Sequence, residues 1–193
     1  MKRYKQNIQE ASLRSPGRRR FLGFAALTAA GFATSPVFGQ VRPHGERVLT
    51  FENLHTGEKL KTVYWADGRY LNSSMADINH ILRDHRTNDI MAMDPQLLDL
   101  LHELSLTVES NKPFGIISGY RSPATNAKLR TNSSGVAKRS MHMDGKAIDI
   151  RLPGYRLSDL RRAALSLRGG GVGYYPRSGF IHIDTGRIRS WGG

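Results

Sequence analysis

The sequence predicts an α+β fold, in which a small antiparallel sheet packs against several helices within a single domain. Short segments of alternating apolar and polar residues, typical of strands, are interspersed with segments that have helical spacing of apolar residues. The chain has 193 residues, of which 39% are hydrophobic and 23% charged, as in ordinary globular domains. If residues 1–39 are removed as an export signal, about 154 residues remain, a length that suits one hydrophobic core.

Residues 1–39 have the features of a secretory signal. A polar, basic start ends in three arginines at 18–20, which are followed by Phe-Leu as in signals of the twin-arginine type. Residues 24–38 are apolar and rich in Ala and Gly. An uncleaved membrane anchor is the alternative, but the apolar run is barely long enough to span a bilayer. We therefore predict cleavage after Gly39, a mature domain at 40–193, and no stable membrane insertion.

Charge and cysteine content narrow the choice of partners. The chain has no cysteine, so it forms no disulfide, and a bound metal must be held by His, Asp or Glu. Outside the predicted signal, 22 basic and 15 acidic residues leave a net charge of +7. This excess favours a polyanionic partner. No basic block with interleaved aromatic residues is present, so we do not expect nucleic-acid binding.

The first half of the predicted mature chain combines a hairpin with two helices. Strand patterns at 47–53 and 60–65 flank turn residues and predict a β-hairpin. Asn and Ser residues then offer an N-cap to a helix over 72–86. The Asp-Pro pair at 94–95 predicts the start of a second helix, with a leucine-rich stripe that ends at Val108.

Arg121 follows the next predicted strand, at 114–118. Gly119 permits a tight exit from that strand, and Ser122 followed by Pro begins a short helix to about Arg130. Side chains at strand ends are often functional. Arg121 is therefore a candidate, although this segment alone favours an ordinary surface arginine.

The second half alternates strands with one helix. A loop at 132–138 leads into a predicted strand at 145–152, and a helix follows at 157–168. Shorter strand patterns lie at 173–176 and 180–185.

Two of these strands place polar residues opposite isoleucines. Asp149 alternates with isoleucines in the first, and His182 and Asp184 do so in the second. If the strands pair, Asp149 and His182 share a face, and His142 can fold over it from the preceding loop. Two imidazoles and one carboxylate form a common ligand set for catalytic zinc. From the pattern alone, a metal site and ordinary structural residues are equally supported.

The motifs resemble those of a known superfamily. His142-x6-Asp149, then His182-x-Asp184, with Ser-Gly-Tyr-Arg-Ser upstream, is similar to the LAS or M15-type zinc D,D-peptidases and murein endopeptidases. The runs Asn-Leu-His-Thr-Gly-Glu from residue 53 and Gly-Gly-Val-Gly-Tyr-Tyr-Pro-Arg-Ser from residue 170 resemble its periplasmic, YcbK-like or MepK-type branch. The resemblance covers nearly the whole mature chain.

The resemblance implies His142, Asp149 and His182 as ligands of one zinc ion per chain. It implies that Arg121 binds the scissile carbonyl oxygen. Many members carry an acidic general base three residues before the last ligand, and this chain has Gly179 there. Asp184 is then the nearest acid, either as the base or as a group that orients a ligand histidine.

The implied activity is hydrolysis of peptide cross-links in peptidoglycan, in the periplasm. Two alternatives stay open from the sequence. One is a D,D-carboxypeptidase or dipeptidase that trims stem peptides. The other is a non-catalytic wall-binding domain that retains zinc. The absence of an acid at Gly179 is consistent with this alternative.

Overall fold

A computed structural model describes residues 45–132 and 135–192. Within these ranges the chain forms eight strands and four α-helices, which confirms the predicted α+β class. The signal predicted at residues 1–39 lies outside the described residues. Across the described part, none of the helices is both long and apolar enough to span a membrane.

The strands and helices are interspersed along the chain, and the connection between the first two helices covers residues 82–94. The strands are β1 (Arg47–Asn53), β2 (Lys59–Ala66), β3 (Arg69–Tyr70), β4 (Phe114–Ser118), β5 (Ala147–Arg151), β6 (Gly171–Tyr175), β7 (Phe180–Asp184) and β8 (Arg189–Trp191). The helices are α1 (Asn72–Ile81), α2 (Pro95–Thr107), α3 (Pro123–Asn132) and α4 (Leu157–Ser166), with a 3-10 helix at Met141–Asp144.

All the described strands join one sheet in the order β3-β2-β1-β4-β5-β7-β6-β8. The pairs β1–β4 and β6–β8 are parallel, and the other neighbours are antiparallel. The sheet is therefore larger than expected and mixed. The two strands that the sequence did not indicate, β3 and β8, have two and three residues, too few to show an alternating pattern.

Helix α2 forms as its sequence predicts. The Asp94 side chain accepts a hydrogen bond from the Gln96 backbone N–H, and proline occupies the first turn. Its leucine stripe is fully buried, and α2 contacts β1 and α4. Helix α4 packs in turn against β6 and β7. These helices thereby cover one face of the sheet and leave the opposite face of β5, β7 and β6 to form a site.

Helix α1 ends at Ile81, five residues before the predicted end near Arg86. The chain leaves the helix because its next polar groups bind another loop. The Leu82 carbonyl oxygen accepts a hydrogen bond from the Tyr120 N–H at 2.7 Å, and the buried Asp84 carboxylate bonds Ser122. The early end of α1 thus positions the loop that carries Arg121.

Candidate metal centre

Asp149 on β5 and His182 on β7 lie directly opposite one another in the antiparallel ladder. Opposed residues on paired strands share a face of the sheet, so the two side chains point to the same side. Ile148 and Ile183, the next pair along the ladder, are buried on the helix-covered face. The strand alternation therefore brings a carboxylate and an imidazole together above an apolar layer.

His142 approaches this face from the 3-10 helix that precedes β5. The Ser140 hydroxyl accepts from the His142 backbone N–H and begins the turn, and Gly145, with φ of 65°, ends it. A Cβ at Gly145 would lie 2.5 Å from the Ala92 carbonyl oxygen, so no larger residue fits there. The His142 Nδ1 lies 2.7 Å from the Gly119 carbonyl oxygen, which fixes the ring with Nε2 towards the site.

The hydrogen bonds of the two imidazoles determine which nitrogens carry protons. A carbonyl oxygen only accepts, so His142 donates from Nδ1 and keeps a lone pair on Nε2. His182 Nε2 lies 3.0 Å from the Asp184 carboxylate, which in the neutral ring leaves the lone pair on Nδ1. Asp149 adds a carboxylate oxygen. Three acceptors therefore converge on one point, an arrangement that suits a cation.

The distances between these acceptors fit a small tetrahedral ion. His142 Nε2 lies 3.2 Å from His182 Nδ1 and 3.3 Å from the nearer Asp149 oxygen. The distance from His182 Nδ1 to that oxygen is 2.9 Å. Ligand atoms bound tetrahedrally to zinc at about 2.0–2.2 Å lie about 3.3–3.6 Å from one another. All three residues are buried. The donor set thus fits zinc with small adjustments of the side chains.

The ionisation of the site follows from its burial and its charges. Burial raises the pKa of Asp149, but the His142 and His182 rings lower it by more. The pKa of Asp149 therefore lies below its ordinary value. Burial lowers the pKa of His182, and the two neighbouring carboxylates raise it by more. A proton would therefore compete with a metal ion for the ring of His182.

Asp184 lies behind His182 and is fully buried. Its carboxylate accepts a hydrogen bond from His182 Nε2 at 3.0 Å. It accepts two more from the Arg189 guanidinium, at 2.7 and 3.0 Å. The backbone N–H groups of Gly171 and Gly186 donate to it as well. A Cβ on Gly171 would lie 2.6 Å from this carboxylate, so glycine makes room for the ion pair. Both oxygens of Asp184 are occupied by these donors.

Arg121 lies beside the acceptor cluster and is mostly buried. Its Nη2 lies 3.5 Å from Asp149 and 3.4 Å from the Ser118 hydroxyl. Burial lowers its pKa, and Asp149 counters this effect by raising it. The buried Nε has no hydrogen-bond partner among the described residues. A substrate oxygen that reached this N–H would satisfy it.

The loop around Arg121 is held from two sides. The Arg121 N–H donates to the His142 carbonyl oxygen at 3.1 Å, so the two functional loops support each other. The next residue, Ser122, donates from N–H and hydroxyl to the Asp84 carboxylate at 2.9 and 2.8 Å. Asp84 is therefore a support for the guanidinium although it does not touch the site.

Replacing Asp84 with asparagine is expected to destabilise the fold by about 1–3 kcal/mol, because buried donors lose a carboxylate partner. Burial raises the pKa of Asp84, but hydrogen bonds from Thr125, Arg86 and Ser122 lower it to about 2. The contribution of this carboxylate is therefore complete above its ordinary pKa and is lost as the pH falls towards 2. Thermal unfolding between pH 7 and pH 2 should show a smaller pH-dependent loss in the variant. An equal loss in both proteins would contradict this role.

The site opens into a cleft of about 460 Å³. Its described lining includes Arg121, His142, Asp149, Tyr175, Ser178, Phe180, His182, Asp184, Arg189 and Trp191. Among the lining residues that the structure describes, the carboxylates are Asp149 and Asp184. Gly179, where many M15-type sequences carry an acid, has a φ of 73° and closes the turn between β6 and β7.

Comparison with known proteins places the chain in a family. A sequence model described as peptidoglycan L,D-endopeptidase MepK matches residues 42–191. The chain belongs to this MepK family. A protein of that name from Escherichia coli (strain K12) is 50% identical over 171 residues, which cover 88% of this chain and 93% of the relative. A relative from Haemophilus influenzae is 40% identical over 179 residues, 91% of this chain and 96% of its own length.

Some features of this MepK-family chain were not apparent from the sequence. Arg189 and Trp191 reach the cleft on β8, and the run of glycines in β6 that resembled the MepK-type branch leaves space for both side chains. His55, the histidine of the run that begins at residue 53, stacks on His85 with ring centres 3.8 Å apart. Its Nε2 bonds the Ile117 carbonyl oxygen, in the strand that leads to Arg121. His55 does not line the cleft.

Proposed function

We propose that this chain is a zinc-dependent endopeptidase that hydrolyses peptide cross-links in peptidoglycan. The observation that carries the proposal is the convergence of three buried acceptors, from His142, Asp149 and His182, beside the unpaired Nε of Arg121 in an open cleft. The names of the MepK relatives supply the substrate class.

Zinc is supported by the chemistry of the donors. Two imidazoles and one carboxylate, with room for a fourth ligand, match catalytic zinc sites, whereas Ca²⁺ and Mg²⁺ prefer sites made of oxygen ligands. When bound, zinc polarises the substrate carbonyl and lowers the pKa of a bound water to about 7. We assign His142, Asp149 and His182 as its ligands, one ion per chain.

Arg121 supplies positive charge where the substrate carbonyl oxygen becomes an oxyanion. Its Nη2 group is held by Asp149 and Ser118, and the other N–H groups of the guanidinium supply donors to that oxygen. Such a fixed donor costs no rearrangement as the negative charge develops. Burial removes competing water and strengthens the interaction.

Asp184 acts as a positioning residue in this account. The sequence left two roles open for it, the general base and the group that orients a ligand histidine. A base needs a free oxygen directed at the reacting water. Both Asp184 oxygens accept hydrogen bonds from His182, Arg189 and backbone groups, which supports the orienting role.

Replacing Asp184 with asparagine is expected to weaken zinc affinity by about 10- to 100-fold, because His182 loses the carboxylate that fixes its tautomer. Competition with a chelator of known affinity measures this change. At saturating zinc, the variant should recover most of its turnover. A variant that binds zinc normally but has lost turnover entirely would instead indicate a general base. Asp159→Asn, which changes a half-buried carboxylate that pairs with Arg156 outside the cleft lining, is the control.

We propose that the enzyme cleaves a cross-link in which the peptide bond joins an L-centre to a D-centre. Two cross-links were open from the sequence, D-Ala to diaminopimelate and diaminopimelate to diaminopimelate. The second joins the L-centre of one diaminopimelate to the D-centre of the next. The L,D designation of the relatives favours it.

Purified muropeptide dimers of each cross-link test this function. We expect zinc-loaded protein to convert dimers joined through two diaminopimelates into monomers. Loss of terminal D-Ala alone would indicate the carboxypeptidase alternative. No product from either dimer would support the non-catalytic wall-binding alternative.

Export through the twin-arginine route to the periplasm is part of the same proposal, with residues 1–39 as the signal and 40–193 as the mature enzyme. The wall-directed activity requires a location outside the cytoplasm. Sequencing the N-terminus of the exported protein should give Gln40 as the first residue. A protein that retains Arg18 would contradict cleavage at this position.

A further inference from the structure

Tyr175 lines the cleft and carries a hydroxyl, and it is neither a candidate metal ligand nor a support for one. It ends β6 and pairs with Phe180 in the ladder, two residues beyond the pair that joins Gly173 to His182. Strand alternation therefore puts Tyr175 on the same face as His182. Its ring stacks on Phe180 with centres 4.7 Å apart, so the phenol is held in place.

The Tyr175 hydroxyl is oriented by Trp191. The indole Nε1–H donates to the phenol oxygen at 2.9 Å. Indole nitrogen only donates, so this bond uses the acceptor side of the hydroxyl and leaves its hydrogen free. Among the described residues, no acceptor takes that hydrogen. A buried or half-buried donor without an acceptor in a cleft is available to a ligand.

Trp191 is itself fixed at the metal centre. Its ring centre lies 5.2 Å from that of His182. It lies over Gly173, where a Cβ would be 2.7 Å from the indole, so the glycine makes room for it. The Arg189 guanidinium, which pairs with Asp184, covers the indole at 4.8 Å. The indole therefore links the phenol to the residues that hold His182.

Tyr175 and Arg121 both line the cleft, as do His142, Asp149 and His182. A carbonyl oxygen that gains negative charge is stabilised by cations and by hydrogen-bond donors, so donors on the cleft can add to the effect of a bound metal ion. Two such donors are the Arg121 guanidinium and the Tyr175 hydroxyl.

We propose that Tyr175 is a catalytic residue whose hydroxyl donates a hydrogen bond to the substrate carbonyl oxygen as it becomes an oxyanion, together with Arg121, and that Trp191 positions this hydroxyl. The proposal rests on the proposed endopeptidase function. It involves no proton transfer from the phenol. The Tyr175 hydroxyl is a second donor to the oxyanion, and its hydrogen bond is strongest in the transition state.

Tyr175→Phe tests the proposal by removing the hydroxyl alone. We expect kcat on the diaminopimelate-linked dimer to fall by about 100-fold, with KM changed less than about threefold. A phosphinate analogue of the tetrahedral intermediate should bind more weakly by a similar factor, while zinc content and unfolding temperature stay unchanged. Tyr155→Phe, an exposed tyrosine outside the described cleft lining, is the matched control and should behave as the unmutated protein.

Trp191→Phe separates positioning from structure. It removes the donor to Tyr175, so kcat should fall by less than in Tyr175→Phe. The double variant should be no slower than Tyr175→Phe, because both changes act through one hydroxyl. Additive losses would overturn the role of Trp191.

Other outcomes would overturn the role of Tyr175. These are a kcat within twofold of the unmutated value, a rise in KM alone, or a loss of activity that parallels a loss of zinc or of stability. The unmutated protein in the same assay distinguishes the two proposals. If it leaves every dimer intact, the endopeptidase function fails; if it cleaves them and Tyr175→Phe does so equally well, only the inference about Tyr175 fails.

Discussion

Replacing His142 with alanine is expected to reduce muropeptide hydrolysis by at least about a thousandfold, because the loss of a ligand removes several kcal/mol of metal-dependent stabilisation. His142 supplies one of three converging acceptors, and its ring is held by the Gly119 carbonyl oxygen. Zinc bound per chain, measured by atomic absorption after dialysis, should fall from about one to near zero.

The fold of the variant must be checked, because alanine leaves a buried carbonyl oxygen without its donor. A cooperative unfolding transition keeps the result interpretable, and His142→Gln provides a second variant with less lost volume. His80→Ala is the matched control, since this exposed imidazole lies 3.6 Å from Glu58 and does not line the described cleft. Full activity of His142→Ala would show that the site is wrong.

Replacing Arg121 with lysine is expected to lower kcat by about 10²- to 10³-fold and to leave zinc content unchanged. Lysine keeps the charge but lacks the planar fork that lets Arg121 contact Asp149 and Ser118 through Nη2 and keep further N–H donors for the substrate. Initial rates across a range of dimer concentrations separate kcat from KM. The loss should lie in kcat, because the interaction strengthens in the transition state.

Arg83→Lys is a closely matched control for this change. The Arg83 side chain is 11% exposed, as is that of Arg121, and it pairs with Glu58 at 2.8 Å outside the cleft lining. Its replacement should affect stability modestly and leave kcat as it was. If Arg121→Lys kept kcat within about threefold, or raised KM alone, the guanidinium would be a binding contact and not an oxyanion donor.

The pairing of the site strands could be predicted because it depends on local alternation. In β5 and β7, polar residues alternate with isoleucines, and a shift of one residue would turn the polar set towards the apolar core. That constraint puts Asp149 and His182 on one face once the strands pair, and the ladder places them directly opposite one another. The cap of α2 was predictable for a similar reason, since Asp94 satisfies a backbone donor within its own turn.

Features that depend on distant partners could not be predicted in this way. Helix α1 ends early because Asp84 bonds Ser122, 38 residues later in the chain. The three residues of β8 have no strand pattern of their own, and they pair with β6 where glycines admit Arg189 and Trp191. The orienting contacts of Asp184 were likewise invisible, because sequence spacing allowed both a base and a positioning group.

Mass spectrometry of muropeptide products before and after metal removal tests the central claim most directly. Protein with one zinc per chain should convert cross-linked dimers into monomers. A chelator should abolish the products, and one equivalent of zinc should restore them. Unchanged cleavage by metal-free protein would contradict the account, since His142, Asp149 and His182 would then hold no ion that the hydrolysis requires.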